Sequence, residues 1–231
     1  MLSIMCFYYA KKGHWPATGA LGFLLALTRS IGVLIIIPLV LVYLSDKGFG
    51  SKDIRPDAFL KKAKVAIKPD ILSLLLIPLA IVIFMAYDYF MTGDFLKFVH
   101  IQSVYGAELT NPLVILVYRI YMIFKFPAVK TLPVFMGACF AMAILLGLTI
   151  FYKKVGLPYW ILGVYSIFVP LSAGSATMFS FPRYALVIFP VYILLAELGE
   201  NKYFDMVAIP LFIILQAVLM ALWTQQILWI L

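Results

Sequence analysis

The sequence predicts an all-α polytopic membrane protein: about eight transmembrane or re-entrant helices in a bundle, with an external amphipathic helical loop. Three observations lead there. Of the 231 residues 65% are hydrophobic and only 12% charged, with a mean hydropathy of +1.07, far outside the range of soluble domains. The apolar residues fall in long blocks that suit helices, not in the short alternating segments of a barrel. The formal net charge of +8 comes mostly from Lys and Arg in short loops between those blocks, where orientation signals belong, so nucleic acid is not an expected partner.

Residues 1–231 read as one transmembrane domain. Met1 to Ala10 is apolar and is followed at once by Lys11 and Lys12, the reverse of a signal peptide, whose positive charges precede its apolar core. The run from Met206 to Leu231 stops inside apolar sequence. The expectation is an N-terminally truncated fragment of a longer enzyme. Cys6 and Cys139 lie far apart in apolar segments, without metal-ligand spacing, and read as small buried hydrophobes.

The first long block, Ala17 to Leu44, carries one charge, Arg29, near its middle. A guanidinium does not lose its proton to suit a bilayer and needs an anionic or polar partner there. The basic residues Lys11 and Lys12 precede the block, and Ser45 to Asp70, with seven basic residues against four acidic, follows it. Both flanks are therefore expected on the cytoplasmic side. As one helix the block would span about 42 Å, whereas two full crossings of a core about 30 Å thick need about 40 residues. A hairpin of two short helices, Ala17–Thr28 and Ile31–Leu44, satisfies both length and sidedness. Its apex is Arg29-Ser30, eased by Gly32, and non-helical backbone at such depth belongs beside a cavity. The competing reading is one long tilted helix with Arg29 snorkelling to an interface.

The later blocks alternate: Ile71 to Tyr87 outward, Leu132 to Tyr152 back to Lys153-Lys154, Leu157 to Leu171 outward, Tyr184 to Leu198 back, and Met206 to Leu231 outward. Between the first two blocks, Asp57 to Lys68 reads as an amphipathic helix on the anionic inner leaflet. Two regions fall on the external or lumenal side, Asp88 to Thr131 and Ser172 to Arg183. In the first, Thr92-Gly93-Asp94 marks a turn and helix start for Phe95 to Tyr105, which carries Lys97, His100 and Gln102. His100 is either a surface hydrogen-bonding residue or a catalyst. Gln102 can hold a sugar hydroxyl through both amide groups or simply be solvated. Leu113 to Phe126, with Arg119 and Lys125, reads as an interfacial helix. In the second region Pro182 suits a first helical turn, whose N–H groups, with the guanidinium of Arg183, could receive a phosphate. Arg183 could equally anchor the helix among headgroups. No Gly-rich phosphate loop, His-Glu-x-x-His or Gly-x-Ser-x-Gly occurs.

Three segments carry a family resemblance: Leu27-Thr28-Arg29-Ser30-Ile31-Gly32, Gly93-Asp94-Phe95 through Gln102 to Gly106, and Pro182-Arg183-Tyr184 leading into Phe189-Pro190. In this order they resemble the mannosyltransferases related to the second mannosyltransferase of GPI-anchor synthesis and its prokaryotic relatives, C-type polytopic glycosyltransferases. The resemblance implies transfer of a sugar, expected to be mannose, from a polyprenyl- or dolichyl-phosphate donor to a glycan, lipid or protein acceptor on the external or lumenal face. It assigns the donor phosphate to Arg29, Arg183 and Tyr184, and the sugar or acceptor to Gln102, His100 and Tyr105. No metal and no cofactor beyond the lipid-phosphate donor is expected, since Asp88, Asp94 and Glu108 lack ligand spacing. The expected setting is a multi-pass protein of a prokaryotic plasma membrane rather than the endoplasmic reticulum, in contact with membrane lipids. Two departures stand out. The family's aspartate in the first external loop has no counterpart here, so the catalytic base is expected to lie outside this fragment, with Asp94 as the substitute within it or, alternatively, a helix cap. Where relatives have Trp-Gly-Arg this chain has Tyr105-Gly106-Ala107. Competing functions are an anion transporter or lipid flippase, which the broken first block also suits, and a scaffold in which Arg29 pairs with Asp88 or another carboxylate for packing alone.

Overall fold

The computed structural model describes residues 1–47, 69–104, 111–125, 132–172 and 187–224. Every regular element among them is helical, so the chain is all-α. It divides into two compact units, Met1–Ile101 and Gln102–Leu231.

The first unit begins with α1 (Leu2–Lys11) and turns at Gly13, in the left-handed region at φ +75°. It continues into α2 (Trp15–Thr28), where Pro16 occupies the first turn and loses no intrahelical hydrogen bond. A 3-10 segment (Ser30–Ile35) and α3 (Ile36–Asp46) follow. A second 3-10 segment (Pro69–Leu75) leads into α4 (Leu76–Thr92), and the first part of α5 (Lys97–Val104) ends the unit. The run Pro69–Thr92 is the one stretch among the described residues long and apolar enough to cross a membrane; Trp15–Thr28, Ile31–Asp46, Gly137–Ile150, Leu157–Ser172 and Phe189–Gly199 are shorter apolar helices.

α2 is held by small residues. Thr18, Gly19, Gly22 and Ala26 are buried along one stripe, which lets another backbone approach closely. A Cβ on Gly19 would overlap the Ser73 carbonyl, and one on Gly22 would lie 2.6 Å from Ile77 Cδ1. Residue number rises together on both sides of this seam, so α2 and the Pro69–Thr92 run are parallel. The return leg comes back: the Tyr43 ring of α3 meets Trp15 edge-on at 4.9 Å, and Ser73 Oγ lies 2.7 Å from the Trp15 carbonyl. Lys12, Lys47 and Pro69 therefore lie at one end of this unit and Arg29 at the other. The sequence-based hairpin is present, and the single long helix is not.

The second unit comprises α6 (Pro112–Lys125), α7 (Leu132–Ile150), α8 (Tyr152–Val155), α9 (Leu157–Ser172), α10 (Phe189–Gly199) and α11 (Lys202–Thr224). Gly156, at φ +88°, reverses the chain after Lys153-Lys154. α7 and α9 then pack antiparallel, Trp160 Nε1 donating to Thr149 Oγ1 at 3.4 Å. The core is aliphatic, with Ala141, Ile144, Leu148, Ile167 and Leu171 buried together. Lys154 and Glu197 pair at 3.0 Å.

Three expectations change. Cys6 is buried, but Cys139 is exposed, because it lies on the outer face of α7 beside the buried Ala138 and Ala141. The expected helix Phe95–Tyr105 starts at Lys97, since Phe95 and Leu96 form the turn before it. The block Tyr184–Leu198 is not one helix: Val187 and Ile188 are non-helical, and α10 starts at Phe189 with Pro190 in its first turn. The expected inner-leaflet helix Asp57–Lys68 lies outside the described residues.

Candidate functional site

Arg29 sits where α2 stops. Thr28 Oγ1 donates back to the Leu25 carbonyl at 2.7 Å, the Arg29 N–H reaches the same carbonyl at 3.2 Å, and Arg29 itself is extended at φ −151°, ψ 130°. Gly32 then donates its N–H to the Arg29 carbonyl at 2.8 Å. A Cβ at Gly32 would stand 2.7 Å from the Leu25 carbonyl oxygen and 3.2 Å from Ala26 Cα. Gly32 therefore eases the turn by permitting close backbone contact, not by adopting a positive φ. The result is a non-helical apex with the Arg29 side chain exposed.

The second element of the site is built from the end of α4. Gly93, at φ +76°, ends the helix and donates its N–H to the Tyr89 carbonyl at 2.8 Å, a left-handed cap that suits glycine. Phe95 stacks on Tyr89, centroids 4.1 Å apart, and Phe98 meets Phe84 edge-on at 5.6 Å, so α5 folds back along α4. Within that turn Asp94 Oδ1 accepts the Leu96 N–H at 2.9 Å, and Asp94 Oδ2 lies 2.7 Å from His100 Nδ1. An ionised carboxylate can only accept, so Nδ1 carries the proton of this bond. The hydrogen bond from His100, and after it the one from Leu96, hold the Asp94 carboxyl below its ordinary pKa.

Arg29 and this pair lie at the same end of the first unit. Gly22 abuts Ile77, and the helix carries Arg29 about 10 Å further on, level with Phe84, at about 1.5 Å per residue. Phe84 is the residue on which Phe98 of α5 packs.

The structure thus joins Asp94 and His100, which the sequence treats separately. A spacing of six places neither residue on the other's helical face, so periodicity alone misses the contact. Only the Gly93 cap and the turn at Phe95-Leu96 bring the two together. Gln102 lies on α5, with its side chain outside the described set. Tyr105, Gly106, Ala107, Glu108, Pro182, Arg183 and Tyr184 also lie outside it. Asp88 uses its backbone carbonyl to accept from Thr92 Oγ1 at 2.8 Å. Among the described residues no group of three or more His, Cys, Asp or Glu could hold a metal ion. In the second unit, Leu113, Val114, Val117, Tyr118 and Tyr121 of α6 line an open apolar groove of about 510 Å³.

Chemically, the first unit offers a fixed cation on a non-helical apex and, at the same end, an imidazole oriented by a carboxylate. Comparison with protein families, with curated proteins and with solved structures finds no match.

Proposed function

We propose that this chain is the membrane domain of a glycosyltransferase that moves a sugar, mannose in the first instance, from a polyprenyl-phosphate donor to an acceptor on the external or lumenal face. In this reading the helices form a polytopic bundle of about eight transmembrane or re-entrant segments in a prokaryotic plasma membrane. Support for a bilayer setting comes from α11, where Ile209, Leu211, Phe212, Ile213 and Ile214 are all exposed. A helix apolar on every side needs cover all round, which lipid supplies. Support for the orientation comes from the clustering of Lys12 and Lys47 at the end of the first unit opposite Arg29.

The observation that carries the reaction is Arg29 on a helix break, at the same end as the Asp94–His100 pair. A lipid-linked phosphate leaves as an anion when the anomeric C–O bond breaks, and Arg29 would neutralise it with a charge already in place. The resemblance assigns Arg183 and Tyr184 to the donor phosphate as well, and Gln102 and Tyr105 to the sugar or acceptor. No metal takes part.

The test is transfer of labelled mannose from polyprenyl-phosphate mannose to octyl α-mannoside in membranes containing the full chain. Arg29→Ala and Arg183→Ala should each lower transfer by about 100-fold or more while the protein still accumulates, as for loss of a group that stabilises developing charge. Undiminished transfer removes the phosphate role. Flux of the donor across sealed vesicles with no glycoside formed would instead establish a transporter.

A further inference from the structure

We infer that the tip of the first unit, where α4 turns into α5, is an interfacial anchor that seats in the headgroup and upper acyl layer of a bilayer. This inference rests on the bilayer setting proposed above and is independent of the sugar-transfer chemistry.

Large side chains stand outward along one side of α4. Leu76, Leu79, Val82, Ile83 and Phe90 are exposed at helical spacing, opposite the fully buried Ile77 and Ala80. Only 17% of the most apolar 18-residue window of Pro69–Thr92 is buried, whereas the core helix of a soluble protein is mostly covered.

Two features select lipid, and not another helix, as the cover. The seam with α2 is made by small residues, Gly19, Gly22 and Ala80, while the outer side carries branched and aromatic ones that hold a second backbone away. Side-chain chemistry also changes along the axis in the order of bilayer layers. Exposed aliphatic residues give way after Ile83 to Phe84, Tyr87, Tyr89 and Phe90, and the first charge after Asp70 is Asp88, with Asp94 and Lys97 beyond it. Hydrocarbon, aromatic belt and water follow one another in the same order. The 24 residues of Pro69–Thr92 extend about 36 Å as a helix, about one turn more than a hydrocarbon core about 30 Å thick, so the turn carrying Asp88 reaches the interface.

Past that turn the chain folds back. Phe95 stacks on Tyr89 and Phe98 packs on Phe84, which returns α5 along α4. Phe90, 85% exposed, and Met91, 67% exposed, project from the tip with Phe95 and Leu96. The Asp94 carboxylate is tied within the turn to the Leu96 N–H and to His100. An apolar tip whose carboxylate is satisfied internally suits the depth of interfacial helices, about 5–10 Å into the headgroup and acyl boundary.

The test uses the full chain in vesicles of three parts phosphatidylcholine to one part phosphatidylglycerol. The chain has two cysteines, Cys6 and Cys139. With Cys6→Ala and Cys139→Ser in place, the single-cysteine variants Val82→Cys, Phe90→Cys and Leu96→Cys carry the fluorophore NBD at exposed positions. Lipids with a nitroxide high or deep on the acyl chain report depth, and iodide reports water. We expect labels at positions 90 and 96 to be quenched at least about twofold more by the high nitroxide than by the deep one, and the label at 82 to show the reverse order. Adding Phe90→Glu and Met91→Glu should raise iodide quenching at position 96 about threefold, and no change overturns the role of those side chains. Iodide quenching at 90 and 96, with position 82 still quenched by the deep nitroxide, overturns the anchor and leaves the bilayer setting standing. A deep preference at all three positions also overturns it. Iodide quenching at all three overturns both the anchor and the bilayer setting.

Discussion

α2 and α11 are both apolar helices, of 14 and 23 residues, yet they have opposite fates. α2 buries Thr18, Gly19, Gly22 and Ala26 against the 3-10 segment and α4, whereas α11 exposes large residues such as Val207, Leu211 and Ile213 around its circumference. Hydropathy does not distinguish them. Residue size at helical register does, because small residues let backbones meet, and dispersion contacts then accumulate over many atoms. A helix studded with large aliphatic residues keeps neighbouring backbones at a distance and leaves its surface to whatever solvent surrounds it. The first unit gains a precisely seated apex from this close packing, while α11 offers a surface matched to hydrocarbon.

The sharpest way to break the contrast is to enlarge α2 at its seam. Gly19→Leu places side-chain atoms on the Ser73 backbone carbonyl, which cannot swing aside, and should cost about 3 kcal/mol, the upper range for overpacking. Gly22→Ala meets the mobile end of Ile77 instead and should cost about 1 kcal/mol. Thermal unfolding in detergent ranks the two, and equal effects would remove the seam as the determinant. On α11 the corresponding change is Ile213→Lys. In water a charge on this exposed site would be harmless, but in a bilayer it should reduce insertion by about 2.5 kcal/mol. A glycosylation-tag insertion assay reads that difference.

Polar contacts extend the comparison. The Asp94 carboxyl is held below its ordinary pKa, so its contribution to the turn is full above about pH 3.9 and is lost as pH falls through the lower folded value. The Leu96 amide resonance should follow that titration, with a midpoint below about 3.9, and Asp94→Asn should abolish it. In the second unit the hydrogen bond to Glu197 raises the Lys154 pKa. That contribution is full below the ordinary lysine value of about 10.4 and is lost as pH rises through the raised one. Because the two side chains are 57% and 35% exposed, Lys154→Ala should move the unfolding midpoint by no more than about 2 °C. A larger shift would show that the pair holds the α8–α10 contact.

Much of this was readable in advance at particular positions. A charge at Arg29, basic flanks on both sides and a block too long for one upright span together favoured a break over one tilted helix, and the break falls at Arg29. Lys153-Lys154 likewise mark a reversal that the structure contains, made at Gly156. The ends of α5 and α10 were not legible, because aromatic stacking of Phe95 on Tyr89 and the non-helical Val187-Ile188 override local apolar continuity.

By itself, the sequence determined an all-helical chain, its apolar composition and the position of the apical arginine. These follow from backbone hydrogen bonding in apolar segments and from the cost of an isolated charge, both of which are local. The tertiary structure decided that Gly19 and Gly22 face Ser73 and Ile77, that Gly32 serves close contact, and that Asp94 grips His100. Those depend on which surfaces meet and on how a turn directs a side chain, neither of which is encoded in any single helical period.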